Sequence, residues 1–183
     1  HVEMTRDLAQ SFNHHYNKDV FTIPEPVIRG EAKRIMSLRD GTKKMSKSDP
    51  SDFSRIHLTD SVDDIALKIR KAKTDPEPLP DSIDGLEDRP EAKNLLTIYA
   101  SFQNQSIKEA LNDVAGKPFS EFKPLLTDVL IAKLDPISKK MNQYLDDRTE
   151  LETILKSGAE HAATLAEKTL KEVKDTMGFV PEF

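Results

Sequence analysis

A short polar stretch, residues 41–50, concentrates the side chains of this sequence that are best suited to chemistry. It mixes three ammonium groups with two hydroxyls: Lys43, Lys44, Lys47, Ser46 and Ser48. Lysines act as mobile point charges toward phosphates, while hydroxyls and backbone N–H groups add hydrogen bonds. A cation that meets charge as it develops on a departing phosphate raises the reaction rate rather than merely tightening binding. We therefore predict a mobile loop that closes over a polyphosphate.

The simpler alternative for this stretch is a solvated lysine-rich turn, which would explain most segments of similar composition. Residues 44–48, however, read Lys-Met-Ser-Lys-Ser, which matches the KMSKS signature letter for letter. The stretch also follows a short apolar segment and precedes a series of predicted helices. Both observations favour the binding loop over the turn.

The segment before the loop is predicted to contain one helix and then strands. Apolar residues recur at helical intervals from the start of the chain to Asn17, which suits a helix end. Short β-type runs follow at residues 20–23, 27–28 and 35–38, separated by prolines and a glycine.

Beyond the loop the pattern is helical to the end of the chain. At three places a serine or threonine is followed three positions later by an acidic residue. This spacing predicts capping boxes at Ser61–Asp64, Ser106–Glu109 and Thr149–Glu152. A helix is expected to open at Pro90, a long one to cover residues 120–145, and the last one to end at Gly178. The proline-rich stretch 74–90 is expected to be functional or mobile.

Composition narrows the class of protein. The chain has 183 residues and a net charge of −5, which excludes a generic polyanion binder but leaves a local basic patch open. The lack of cysteine excludes disulfides and thiolate metal sites and favours a reducing compartment, so we expect a cytoplasmic protein. No apolar run approaches the roughly 20 residues of a membrane span, and no membrane partner is expected.

Through residues 44–48 the sequence resembles the class I aminoacyl-tRNA synthetases. The segments around the loop narrow the resemblance to the tryptophanyl family. Beside the loop, five segments look like that family in the same order: residues 3–9, 21–26, 34–38, 94–99 and 105–107. The resemblance covers essentially the whole chain. Tyrosyl enzymes, the nearest relatives, usually carry a different string in this loop.

The resemblance implies a mainly α fold in three parts. Residues 1–52 would be the end of a Rossmann-like α/β catalytic domain with the KMSKS loop, and residues 53–148 an α-helical anticodon-binding domain. Residues 149–183 would form a C-terminal helix that packs back on the catalytic domain. The family's HIGH-type motif and its tryptophan pocket are expected before His1, because the pair 14–15 is the only adjacent histidine pair and lacks the motif's glycine. We therefore expect a C-terminal fragment that is inactive alone.

The resemblance also implies roles for the loop. Two residues would be catalytic, because they would stabilise the pyrophosphate leaving group: Lys44 and Lys47. The ATP-binding set would comprise Ile35, Lys44, Met45, Ser46, Lys47 and Ser48. Within that set, Ile35 would lie against the adenine, and the methionine and serines would shape the loop around the triphosphate. The role of Lys43 is left open.

The full enzyme would join tryptophan to ATP, with Mg²⁺ accompanying the nucleotide, and pass the amino acid to tRNA(Trp). No tightly bound cofactor and no protein metal site are expected, and the intact enzyme would be a homodimer. Two alternatives remain at this level. One is a tyrosyl-tRNA synthetase, and the other is a non-catalytic fragment that binds tRNA or serves as a scaffold.

Two further groups of charged residues have competing interpretations. A basic cluster at the end of the helix predicted after Ser61 either complements the helix dipole or contacts tRNA phosphates: Lys68, Arg70, Lys71 and Lys73. The acidic pairs 63–64 and 146–147 are predicted to cap helices rather than to bind a metal.

Overall fold

The computed structural model of the chain describes residues 1–27 and 34–180. Over those two ranges it contains six α-helices: α1 (Val2–Tyr16), α2 (Val62–Arg70), α3 (Pro90–Gln103), α4 (Ile107–Val114), α5 (Phe119–Asp146) and α6 (Arg148–Met177). The prediction of a mainly α fold is confirmed. None of these helices combines the length and apolarity that crossing a membrane requires.

The chain divides into two compact units. One contains His1–Ile28 and Asp147–Phe183, and the other contains Arg29–Asp146. The second unit holds the lysine-rich loop together with α2 to α5. The domain boundaries expected from the family resemblance stay a prediction.

The first unit contains α1 and α6. The first helix ends at Asn17, as predicted, with that residue in the left-handed conformation at φ 51°. The side chain of Lys18 lies 3.2 Å from the hydroxyl of Thr176 and 3.2 Å from a carboxylate oxygen of Glu172, both on α6. The last helix ends at Gly178, where φ is +77° and a glycine carries no steric cost.

The cap predicted for the last helix at Thr149 and Glu152 is wrong. The helix begins earlier, because Asp147 is its N-cap and accepts a hydrogen bond from the backbone N–H of Glu150 at 3.1 Å. Thr149 lies in the first turn, and its carbonyl accepts from the hydroxyl of Thr153. Aspartate is as good an N-cap as serine or threonine, so the first available cap residue sets the helix start.

In the second unit the four helices bury a common apolar core, with α3 at its centre. Eight consecutive or near-consecutive residues of α3 are buried, among them Leu95 and Leu96. Leu126 and Leu130 of α5 lie one turn apart and are 0% and 1% exposed. The rings of Tyr99 and Phe122 meet edge to face at 5.6 Å between centroids.

The predicted helix starts in this unit are confirmed. Ser61 and Asp64 form a capping box at α2, and Ser106 and Glu109 form one at α4. Pro90 is the first residue of α3, where its missing N–H costs no hydrogen bond.

The strands predicted at residues 20–23 and 35–38 are wrong. Among the described residues the only β-type pairing is one isolated bridge, between Met36 and Lys44. Side chains satisfy the backbone instead: the carboxamide oxygen of Asn13 accepts from the N–H groups of Val20 and Phe21 at 3.1 and 2.9 Å. The run predicted at residues 27–28 extends beyond the described residues.

The proline-rich stretch after α2 is packed rather than looped out. Leu79 and Leu86 belong to the core, at 2% and 1% exposure. Arg89 forks onto the carboxylate of Asp75, at 3.0 and 2.6 Å, and donates to the carbonyl of Pro78 at 2.7 Å. These contacts give the stretch a defined path, although its regular structure amounts to one short 3-10 helix at Asp84–Leu86.

Candidate nucleotide-binding loop

The segment that leads into the loop is held by a buried side chain of α3. The carboxamide of Asn94 accepts from the N–H of Met36 at 2.9 Å and donates to the carbonyl of Met36 at 2.8 Å. Two residues on, the N–H of Leu38 donates to the carbonyl of Ser54, and the carbonyl of Leu38 accepts from the N–H of Lys73. The segment therefore keeps an extended path without a neighbouring strand.

A tight turn then reverses the chain. Asp40 accepts from both the N–H and the hydroxyl of Thr42, at 3.0 and 2.6 Å, and these bonds lower the pKa of the carboxyl below its usual value. After the turn, the N–H of Met45 donates to the carbonyl of Ile35 at 3.1 Å. The two predicted ATP-binding residues Ile35 and Met45 thus meet across the base of the loop, and both pack against the core.

Gly41 lies in the turn where the loop approaches the start of α3. A β-carbon at this position would lie 2.5 Å from the backbone carbon of Pro90 and 2.6 Å from the nitrogen of Glu91. Only a residue without a side chain allows this approach. The turn is therefore docked on the helix that also carries Asn94.

The remaining predicted residues of the loop are exposed. Lys44, Ser46, Lys47 and Ser48 all face solvent. Lys43 is exposed as well, and its ammonium lies 3.4 Å from a carboxylate oxygen of Asp40. The hydroxyls of the two serines lie 3.1 Å apart, which gives the tip of the loop a local turn. The structure thus brings the two catalytic candidates to the surface of a loop whose base is anchored in the core.

The basic cluster does not present four cations at the surface. Lys68 is buried in α2, and its ammonium lies 2.6 Å from Asp60 and 2.8 Å from Asp52. Its charge is already neutralised by these two carboxylates, so Lys68 does not present a cation to a tRNA phosphate. Its burial follows from acidic residues that lie well before it in the chain, which the local helical pattern did not indicate.

The other three members of the cluster are exposed at or beyond the end of α2. The ammonium of Lys71 lies 4.7 Å from the ring centroid of Phe53. Lys73 pairs with Glu91 at 2.7 Å, and this hydrogen bond raises the pKa of the lysine. Arg70 ends the helix, where a cation also complements the helix dipole.

One member of each acidic pair caps a helix, as predicted. Asp64 completes the capping box of α2, and Asp147 caps α6. The part of the chain that the structure describes contains no group of three side chains arranged to hold a metal ion. His14 and His15 are exposed on α1, as expected for surface residues.

Two residues of the site were missed by sequence reasoning. In the sequence Gly41 is recognisable only as a loop residue, and Asn94 only as part of a segment that resembles the family. The available signal for Asn94 was its polarity within an otherwise apolar stretch of helix. A buried carboxamide there requires partners, because an unpaired polar group in a core is costly.

Comparison with known proteins leads to the same family as the signature in the loop. Residues 1–135 match the family model described as tRNA synthetases class I (W and Y). A tryptophan–tRNA ligase of Caulobacter vibrioides is 51% identical over 180 residues, which cover 98% of this chain and 52% of the relative. One of Nostoc is 44% identical and is covered to 53%. The chain therefore spans about half the length of the curated relatives it matches.

Solved structures give the same result for the fold. A tryptophanyl-tRNA synthetase of Mycoplasma pneumoniae superposes with a TM-score of 0.78 at 29% identity, over 98% of this chain and 55% of that one. One of Campylobacter jejuni, solved with ADP and tryptophan, has a TM-score of 0.62 at 24% identity and supports the fold alone. Taken with the family match, these likenesses show that the chain belongs to the class I tRNA synthetases of the tryptophan and tyrosine group.

Proposed function

We propose that the protein containing this chain is a tryptophan–tRNA ligase. The observation that carries the proposal is the KMSKS loop itself, with Lys44 and Lys47 exposed above a base held by the core. Relatives named tryptophan–tRNA ligase, up to 51% identical, favour tryptophan over tyrosine as the amino acid.

The first half-reaction forms tryptophanyl-adenylate. A carboxylate oxygen of tryptophan attacks the α-phosphorus of ATP, and the bond from that phosphorus to the bridging oxygen of the β-phosphate breaks. Pyrophosphate leaves with the electron pair, and Mg²⁺ accompanies the nucleotide. The ammonium groups of Lys44 and Lys47 meet this developing charge, which lowers the barrier because the contact strengthens toward the transition state.

The loop positions these amines through its other residues. Ile35 supports the adenine, and Met45, Ser46 and Ser48 shape the loop around the triphosphate. The core contacts of Ile35 and Met45 support this division, because they fix the base and leave the tip free to close.

The second half-reaction charges the tRNA. The 2′-hydroxyl of the terminal adenosine of tRNA(Trp) attacks the carbonyl carbon of the adenylate, loses its proton and releases AMP. The helices after the loop bind the anticodon region, and the exposed cations Arg70, Lys71 and Lys73 contact its phosphates. The intact enzyme is proposed to act as a cytoplasmic homodimer.

Lys47→Ala tests the proposal in the full-length protein. Tryptophan-dependent exchange of pyrophosphate into ATP should slow by orders of magnitude in kcat, while the KM for tryptophan changes little. Lys108→Ala, which removes an exposed lysine of α4, serves as the control and should exchange normally. Near-normal kcat in Lys47→Ala would contradict the role, and exchange that depends on tyrosine instead would overturn the choice of amino acid.

A further inference from the structure

Arg55 binds the C-terminal end of the KMSKS loop, residues 41–50, through hydrogen bonds. One guanidinium nitrogen of this residue donates to the carbonyl of Asp49 at 2.8 Å and to that of Ser51 at 3.3 Å. Another lies 3.4 Å from the carboxylate of Asp52. The side chain of Arg55 is only 14% exposed, so these bonds form against a partly desolvated background and fix the point at which the chain leaves the loop.

Asp52, which contacts Arg55, also pairs with a buried lysine in α2. Its Oδ2 lies 2.8 Å from the ammonium of Lys68, and Oδ2 of Asp60 lies 2.6 Å from the same nitrogen. The side chain of Lys68 is 4% exposed. An ammonium in such a place is tolerated only when it is paired and hydrogen-bonded, so the two acids and the lysine depend on one another.

The second acid anchors the assembly to the rest of the unit. The carboxylate of Asp60 accepts from the N–H of His57 at 2.8 Å, and its carbonyl accepts from the hydroxyl of Ser138 on α5 at 3.1 Å. The imidazole Nε2 of His57 lies 2.9 Å from Arg55 Nε and 3.0 Å from Asp52 Oδ1. The loop exit, α2 and α5 are thereby joined through one buried cation.

The pKa values of Lys68 and Asp52 are shifted in the directions that favour their charged forms. Burial by itself would lower the pKa of Lys68, but its hydrogen bonds to Asp52 and Asp60 outweigh burial and raise the pKa above the ordinary lysine value. The hydrogen bond from Lys68 in turn lowers the pKa of Asp52.

We propose that Lys68 is a positioning residue for the nucleotidyl transfer proposed above, on which this inference rests. Its ammonium holds Asp52 and Asp60 in place, and Asp52 with Arg55 fixes the exit of the loop. Each closure then returns Lys47 to the same position over the phosphates. Without Lys68 the loop still closes, but it places its amines less accurately, and the loss falls on kcat rather than on tryptophan binding.

The test compares Lys68→Met with Lys123→Met in the full-length protein. Lys123 is a matched control, because it is partly buried and also supports α2, donating to the carbonyls of Arg70 and Ala72 at 3.2 and 2.7 Å. It binds helix-end carbonyls rather than the acids of the loop exit. Each variant loses one ammonium that is at least partly buried and that contacts α2 or its C-terminal end.

The first readout does not depend on activity. Trypsin cleavage after Lys44 and Lys47, followed by mass spectrometry, should accelerate severalfold in Lys68→Met and stay at the wild-type rate in Lys123→Met. The second readout is pyrophosphate exchange. Lys68→Met should lose on the order of ten- to a hundredfold in kcat with an unchanged KM for tryptophan, and Lys68→Arg should recover part of that loss.

The outcomes separate this proposal from the function on which it rests. Equal loop cleavage in both Met variants, or normal kcat in Lys68→Met when Lys47→Ala is slow, would overturn the positioning role. Selective loop cleavage with normal exchange in both Lys68→Met and Lys47→Ala would instead contradict the proposed function. If Lys68→Met does not fold, Asp52→Asn is compared with Lys123→Met instead. The Asp52 side chain is 59% exposed, so this variant should fold, and it breaks the same contact between Lys68 and the loop exit.

Discussion

The side-chain carboxamide of Asn94 binds both backbone polar groups of Met36, one as acceptor at 2.9 Å and one as donor at 2.8 Å. Asn94 is 4% exposed in α3 and lies 58 residues further along the chain. It therefore acts as a one-residue substitute for a neighbouring strand. The N-terminal end of the lysine loop depends on this pair in the way its C-terminal end depends on Arg55.

Replacing Asn94 with leucine should release the start of the loop. The side chain keeps its approximate size, but the partly buried N–H and carbonyl of Met36 lose their partners, at a cost of up to about 1–3 kcal/mol each. Hydrogen exchange of the full-length protein should show faster exchange of the amide of Met36 and of the loop that follows. Thr97→Val is the control, because it removes a hydrogen bond to the carbonyl of Lys93 within α3. Equal exchange in the two variants would show that the pair does not hold the loop.

Gly41→Ala should destabilise the protein through a contact that a single methyl creates. The new β-carbon would lie 2.5 Å from backbone atoms of Pro90, which cannot move without shifting the start of α3. We expect a loss of about 1–3 kcal/mol in the free energy of unfolding, which is typical of overpacking. Thermal unfolding of the full-length protein measures it.

Gly158→Ala is the matched control for that measurement. Gly158 lies within α6, and nothing lies within 4 Å of an added β-carbon there. Alanine should stabilise the helix by up to about 1 kcal/mol. A melting temperature that falls in both variants, or in neither, would argue against the steric explanation.

The features that could be predicted from the sequence are those that depend on residues close together in the chain. The boxes at Ser61 and Ser106 form between residues three positions apart, so their chemistry is visible locally. The signature of the loop is equally local. The likeness to known synthetases extends this to the fold, because a family pattern carries long-range information that one sequence does not show.

The errors have the opposite origin. Residues 20–23 have a β-type pattern, but the N–H groups of Val20 and Phe21 donate to the side chain of Asn13 rather than to a neighbouring strand. Lys68 follows a typical surface pattern at a helix end, and its burial depends on Asp52 and Asp60. Such long-range partners override local propensity. They cannot be recognised from the residues that surround a position in the sequence.

Asp75→Asn should weaken the protein in a way that depends on pH. Burial raises the pKa of Asp75, but the bonds from Arg89 outweigh it and leave the pKa below the ordinary value. A carboxyl with a lowered folded-state pKa contributes stability above its unfolded-state pKa of about 3.9, and loses it as the pH falls through the lower folded value. The variant should therefore be less stable than wild type at pH 7, and the difference should shrink below about pH 4.

Urea unfolding midpoints of the full-length protein at several pH values test this dependence. Asp81→Asn removes an exposed carboxylate of the same proline-rich stretch and should leave the midpoint nearly unchanged throughout. A gap between wild type and Asp75→Asn that stays constant down to pH 3 would mean that the ion pair with Arg89 does not account for the effect.

The exposed and buried members of the basic cluster should differ in their effect on tRNA binding. Arg70→Gln and Lys71→Gln each remove an exposed cation, so each should reduce the slope of log affinity against log salt by roughly 0.7 to 1. Lys68→Met should leave the slope unchanged, because its ammonium is neutralised by Asp52 and Asp60 and meets no phosphate. Fluorescence anisotropy of the full-length protein with tRNA(Trp), titrated over a range of salt concentrations, measures these slopes. Lys108→Gln on α4 is the surface control, and a slope change there as large as at Arg70 would mean that the end of α2 is not a specific contact.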